Sequence, residues 1–168
     1  GSGNYIRHKP DVVGVYAFFR LEKVRGGGLP TADLVSVDLR VKPARSPDFG
    51  PSAEGWRIRR LRRLDGEVVA LEEIWLDRSH ARRLTAEDLS ESLYVHYRDA
   101  LGLVIARVED RVGLGAVPHW ADPAFAPPPG TAVPLIERVS RAADGTPAEY
   151  SRTWVDNERA RYVSRMGK

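Results

Sequence analysis

The sequence contains no cysteine. That excludes a disulfide framework and a thiolate zinc site, and it is compatible with a reducing, cytoplasmic setting. Lysine is scarce: Lys9, Lys23, Lys42 and Lys168 are the four among 26 basic residues, so arginine carries most of the positive charge. Long apolar runs are missing too. The longest uncharged one, Val12 to Phe19, falls far short of the roughly 20 residues a membrane-spanning helix needs. No secretory leader is recognisable, and Gly1-Ser2-Gly3 reads as a remnant of a cloning vector. His8, His80, His96 and His119 follow no metal-ligand spacing, and no Gly-x-Ser-x-Gly elbow occurs. Gly26–Gly28 is not followed by the Lys-Ser or Lys-Thr of a phosphate loop and is expected to be a flexible turn. No metal, no cofactor and no catalytic residue is expected.

What is present fits one domain. The 168 residues are enough for a chain to build its own core. Basic residues exceed the 23 acidic ones by three, but the two signs are interspersed as on a solvated surface. No segment reads as a basic recognition helix, so direct nucleic-acid binding by this segment is not expected.

Hydrophobic patterning places the elements. Residues 1–11 form a vector remnant and polar lead-in, and residues 12–168 form the domain. Val12 to Phe19 reads as a short buried strand, and Leu34 to Val41 alternates apolar with polar as a strand with one buried face. Pro43 to Gly55 is a loop. Asp65-Gly66 lies between the alternating runs Trp56–Leu64 and Val68–Leu76, and Asp144-Gly145 between 134–143 and 147–155. Asp-Gly in that position is a strong hairpin signal. The units repeat at an offset of 79 residues, Arg62, Asp65 and Trp75 matching Arg141, Asp144 and Trp154. That repeat is compatible with two similar hairpins side by side in one antiparallel sheet. Trp75 and Trp154 are expected to anchor them in the core.

Between the hairpins, Thr85 to Leu101 reads as one helix. Thr85 and Asp88 resemble a capping box, Leu89, Leu93, Tyr97 and Leu101 share a face, and Gly102 is a stop. Val104–Val112 is a strand, residues 118–130 with their five prolines a loop, and Arg161–Arg165 a last edge strand. Hairpins around one central helix give an α+β domain: an antiparallel β-sheet with flanking helices.

The densest chemistry lies in Arg57-Ile58-Arg59-Arg60-Leu61-Arg62-Arg63. Strand alternation puts Arg57, Arg59, Leu61 and Arg63 on one face and Ile58, Arg60 and Arg62 on the other. The residues alone allow two readings. One is an exposed strand charged on both faces. The other is that Arg60 and Arg62 project together into a cavity, as a fork for a carboxylate or phosphate.

Several strings resemble the effector-binding UTRA domain of GntR-type transcription regulators of the HutC branch. They are Arg60-Leu61-Arg62 leading into Asp65-Gly66-Glu67-Val68-Val69 and Leu71-Glu72; Ser92-Leu93-Tyr94; and Gly130-Thr131 with Leu135-Ile136-Glu137-Arg138, followed by residues 144–151. The similarity runs from about Gly14 to the C-terminus. It implies a fold similar to chorismate lyase, a homodimer, and a pocket for a small anionic metabolite such as a sugar phosphate or carboxylate. It implies anion contacts from Arg60, Arg62 and Ser92, and further ligand contacts from Glu72, Tyr94 and Glu149. The segment Gly14–Phe18 matches a pocket strand of the family, which adds Ala17 and Phe18; Ala17 stands where a pocket serine is frequent. A winged helix-turn-helix normally precedes such a domain, so DNA is expected as a partner only through that missing part. Other readings are a chorismate lyase-like enzyme or a stand-alone ligand-binding module.

The implied pocket constrains the first hairpin. With a two-residue Asp65-Gly66 turn, Leu64 pairs with Glu67 and Arg59 with Glu72, which turns Glu72 away from Arg60 and Arg62. A three-residue loop would return Glu72 to the arginine face. A bulged or longer turn at Asp65-Gly66 is therefore expected.

Overall fold

The two Asp-Gly hairpins lie side by side at the centre of one six-stranded antiparallel sheet, in a computed structural model that describes residues 17–89 and 92–167. Its strands are β2 (Pro30–Val41), β3 (Glu54–Leu64), β4 (Glu67–Asp77), β5 (Ile105–Ala116), β6 (Ala132–Ala142) and β7 (Pro147–Val155), in the order β2-β3-β4-β7-β6-β5. A separate two-stranded ladder joins β1 (Leu21–Lys23) to β8 (Ala160–Tyr162). Helix α1 (Leu93–Leu101) packs on one face of the sheet.

Strand β4 is buried along nearly its whole length because both faces of the sheet are covered. On the inner face, Ile58, Ile74 and Leu76 pack with Leu93 and Tyr97 of α1 and with Leu103 and Ile105. Farther along, Leu64, Val69, Ala70, Ile136 and Val155 pack beneath Leu21 and Ala160 of the small ladder. On the outer face the proline-rich loop folds back, and Val117 and Phe125 cover Leu61, Leu71 and Trp154. Trp75 packs with Phe49 and Tyr150. Both tryptophans are 3% exposed, as expected of hairpin anchors.

The first hairpin corrects the expected turn. Leu64 does pair with Glu67, so the turn is the tight one, with Asp65 (φ 50°) and Gly66 (φ 81°) both left-handed. The extra residue sits in strand β4 instead. Arg63 pairs with Val68 and Arg62 with Ala70, leaving Val69 as a bulge. Beyond it Arg60 pairs with Glu72. Glu72 does share the face of both arginines, but a strand bulge puts it there. The Asp65 carboxylate explains why the turn stays tight: it accepts from the Leu29 N–H at 2.7 Å and locks the turn to the chain entering β2. The second hairpin has the wider turn, with the Ala142 N–H donating to Thr146 O and the Gly145 N–H to Ala142 O, both at 2.9 Å.

Two other expectations are corrected. Thr85–Leu101 is not one helix. The Asp88 carboxylate accepts from the Thr85 N–H and hydroxyl, which closes a single 3-10 turn over Ala86–Asp88. Leu89 then turns extended, and the helix restarts only after Ser92, whose Oγ caps the Val95 N–H. Leu89 still packs on the same core as Leu93 and Tyr97, so the apolar spacing survives the break. At the other terminus, Val12–Tyr16 lies outside the described residues. Ala17–Arg20 form a turn and an extended connection, and β1 begins at Leu21. The guanidinium of Arg20 closes that turn, Nη1 donating to Ala17 O at 2.7 Å.

Gly66 has open space where a Cβ would stand. Gly66→Ala should therefore lower stability by about 1–2 kcal/mol through backbone strain alone. Urea unfolding checks this, and an unchanged midpoint would contradict a left-handed residue there.

Candidate functional site

The bulge at Val69 sets the chemistry of the inner face. Arg60 and Arg62 point inward from β3 and are only 4% and 7% exposed, which rules out the exposed-strand reading. Glu72 bridges them from β4, its Oε2 accepting from Arg60 Nη2 at 3.1 Å and its Oε1 from Arg62 Nε at 2.7 Å. Burial raises the Glu72 pKa, but the neighbouring Arg62 and Arg60 outweigh it and hold the carboxyl at about 2. On the opposite face Arg57 pairs with Asp38, and Arg59 with Glu73.

These residues floor a cavity of about 120 Å³. β6 adds Ile136 and Arg138, and β7 adds Glu149, Ser151 and Thr153. The roof is the N-terminal end of α1, with Ser92, Leu93 and Tyr94, together with Phe18–Leu21 and Tyr162. Four guanidinium groups (Arg20, Arg60, Arg62 and Arg138) therefore line the cavity against two carboxyls (Glu72 and Glu149) among the described residues.

The two carboxyls are held differently. Glu149 is 2% exposed and accepts from hydroxyls: Tyr97 at 2.6 Å, Ser140 at 2.8 Å and Tyr94 at 3.1 Å. Burial pushes its pKa up, and these hydrogen bonds offset that only in part. The cavity thus brings guanidiniums together with hydroxyls around a carboxyl whose pKa burial raises.

Of the eight residues singled out from sequence, Arg60, Arg62, Glu72, Ser92, Tyr94, Glu149 and Phe18 line the cavity. Phe18 meets the Tyr94 ring edge-on, with centroids 6.1 Å apart. Ala17 does not line it. Its side chain is exposed, because the turn closed by Arg20 carries it outward before the chain reaches the roof.

Arg138 was missed as a site residue. Its Nε and Nη2 hold Asp110 of β5 at 2.6 and 2.9 Å, and Nη2 also donates to Phe18 O at 2.6 Å. Burial opposes its charge, yet Asp110 and Tyr94 hold its pKa above the usual arginine value. The signal was present: alternation along β6 puts Arg138 on the face of Ile136 and Ser140, beside Arg60 and Arg62 only once the strand order is known.

A basic cavity between an antiparallel sheet and a single helix end thus lies at the heart of an α+β domain. The UTRA domain model matches residues 30–161, and the chain belongs to this family. It is 55% identical over 166 residues to the HTH-type transcriptional regulator SmoD of Agrobacterium fabrum, covering 99% of this chain and 71% of that protein. It is 23% identical over 137 residues to the HTH-type transcriptional regulator YydK of Bacillus subtilis, spanning 79% of this chain and 58% of that one. The ligand-binding domain of a GntR-family transcriptional regulator from Bordetella bronchiseptica superposes with a TM-score of 0.76 at 20% identity, covering 89% of this chain and 98% of that one. The effector domain of PhnF from Mycobacterium smegmatis gives 0.69 at 19% identity, covering 83% and 88%. At these identities the two structures show a shared fold. No described helix is long and apolar enough to cross a membrane.

Glu72→Ala would leave two buried guanidiniums without their shared carboxylate, and should cost about 3–5 kcal/mol of stability. The Glu72 contribution should be present above pH 4.5, its ordinary value, and be lost as pH falls toward about 2. Glu149 acts with the opposite sign: the folded chain holds that proton to higher pH than the unfolded chain, so ionising it lowers stability as pH rises. Unfolding across this acid range should give a flatter profile for Glu72→Gln than for the native chain. Identical profiles would contradict the bridge.

Proposed function

We propose that the chain is the small-molecule-sensing part of a bacterial transcription regulator, and that its effector is an anionic metabolite of the sugar phosphate or carboxylate class. The observation that carries this reading is the cavity lining, with Arg60, Arg62 and Arg138 converging from two strands on one cavity. An anion there would replace its hydration shell with fixed guanidinium donors in a site of low dielectric constant. Ser92 and the first turn of α1 line the same cavity, where helix N–H groups and their aligned dipoles favour negative charge. In the same cavity, Tyr94 and Glu149 offer partners for the hydroxyl groups of a polyol.

Function then follows from linkage. An effector shifts an equilibrium only by its differential affinity for two arrangements of the protein. Phe18 and Tyr94 roof the cavity, and the chain on the N-terminal side of Phe18 would lead toward the DNA-binding domain of the whole regulator. Ordering the roof around a ligand is how occupancy would reach that domain. DNA is a partner only through it, the setting is cytoplasmic, and the role is binding, not catalysis.

A thermal-shift screen of sugar phosphates, sugar acids and aromatic carboxylates tests this. A true effector at 100 times its Kd should add about 2.7 kcal/mol of stability. Arg62→Ala should weaken its binding by about 1.5–3 kcal/mol, the worth of one charge-assisted hydrogen bond. A neutral ligand binding as tightly to Arg62→Ala as to the native chain would sink the anion reading.

A further inference from the structure

Three consecutive backbone carbonyls of the roof are held by guanidiniums that line the cavity. Arg20 Nη1 donates to Ala17 O at 2.7 Å and to Phe19 O at 3.2 Å, and Arg138 Nη2 donates to Phe18 O at 2.6 Å. The Phe19 ring also lies against the Arg62 guanidinium, whose Cζ is 5.0 Å from the ring centroid. Arg20, Arg62 and Arg138 all face the cavity. The groups that an anion would seek are therefore the groups that hold residues 17–19 in place.

These guanidiniums differ in what an anion offers them. Arg60 and Arg62 share the Glu72 carboxylate, and Arg138 holds the Asp110 carboxylate through two nitrogens. Arg20, among the described residues, donates to neutral backbone carbonyls and pairs with no carboxylate. An anion adds a Coulomb attraction that a neutral carbonyl cannot supply, so exchanging acceptors favours Arg20 most. Its backbone need not move for this. The Val163 N–H donates to Arg20 O at 2.7 Å, and the next residue, Leu21, pairs with Tyr162, which fixes this point of the chain to the β1–β8 ladder. Phe18 keeps its bond from Arg138 and its edge-on contact with Tyr94.

We propose that Arg20 is the residue through which an anion in this cavity is sensed. The anion takes the Arg20 guanidinium from Ala17 O and Phe19 O, the turn over residues 17–20 opens, and Phe18 stays seated in the roof. This rests on the anionic-ligand reading above and adds to it the residue that converts occupancy into a change of chain direction at Ala17.

Inorganic phosphate is the probe, with sodium chloride at matched ionic strength to separate binding from screening. Because the chain lacks cysteine, Ala17→Cys carries a single nitroxide label at an exposed position. Phosphate should raise the mobility of that label, with the same midpoint at which it moves the nitrogen-15 signals of Arg60 and Arg62. Arg20→Met keeps the apolar stem and removes the donors. In that background the label should be mobile from the outset and indifferent to phosphate, and phosphate should bind about tenfold more weakly. Arg40→Gln, on the exposed outer face, should alter neither readout. Movement of the Arg60 and Arg62 signals beside an unmoved label would overturn the proposal while leaving the anionic reading intact. So would Arg20→Met binding phosphate as tightly as the native chain. If phosphate moves neither Arg60 nor Arg62, the anionic reading fails and the proposal falls with it.

Discussion

Two guanidiniums on alternate residues of one strand stand about 7 Å apart and repel by about 2 kcal/mol at an effective dielectric constant of 20. Burying both makes the problem worse, and a single carboxylate resolves it. Glu72 lies between Arg60 and Arg62, touches each, and keeps its charge despite being buried. The inner face of the sheet is organised around that bridge. Without it, the strand that carries the cavity floor would have to expose its arginines, and α1 and the β1–β8 ladder would lose the surface they cover.

The bridge depends on one residue of backbone. A regular tight hairpin would send Glu72 to the opposite face, where Glu73 already serves Arg59 and Arg152. The Val69 bulge reverses the parity of everything beyond it in β4, so Glu72 and Ile74 face inward while Glu73 and Trp75 face outward. Bulges of this kind re-aim side chains next to functional sites. Here the bulge allows a rigid turn, tied to Leu29 by Asp65, to coexist with an acid on the arginine face.

Much of this was legible in the sequence. Alternation and the Asp-Gly signals located the sheet strands, and the 79-residue repeat indicated two adjacent hairpins. The resemblance supplied seven of the residues that line the cavity. The parity requirement on Glu72 was also legible, but not its solution, because nothing local distinguishes a bulge at Val69 from a wider loop at Asp65-Gly66. The break in the helix was hidden because Leu89 keeps its core contact on either backbone. Ala17 was misplaced because the turn that turns it outward depends on a bond from Arg20 three residues later. Arg138 escaped because its role comes from neighbours in space, Asp110 on the next strand and Phe18 from a distant segment.

The cavity combines a cationic floor, held by the Glu72 bridge, with a roof of aromatic side chains and a helix end contributed by other segments. The most direct test of the central claim is a titration of an effector found by thermal shift, followed by nitrogen-15 resonances of the arginine side chains. Binding at the bridged pair should move the signals of Arg60 and Arg62, with Arg138 responding beside them, and leave Arg40 and Arg98 on the surface unchanged. Saturation that leaves Arg60 and Arg62 unmoved would contradict it.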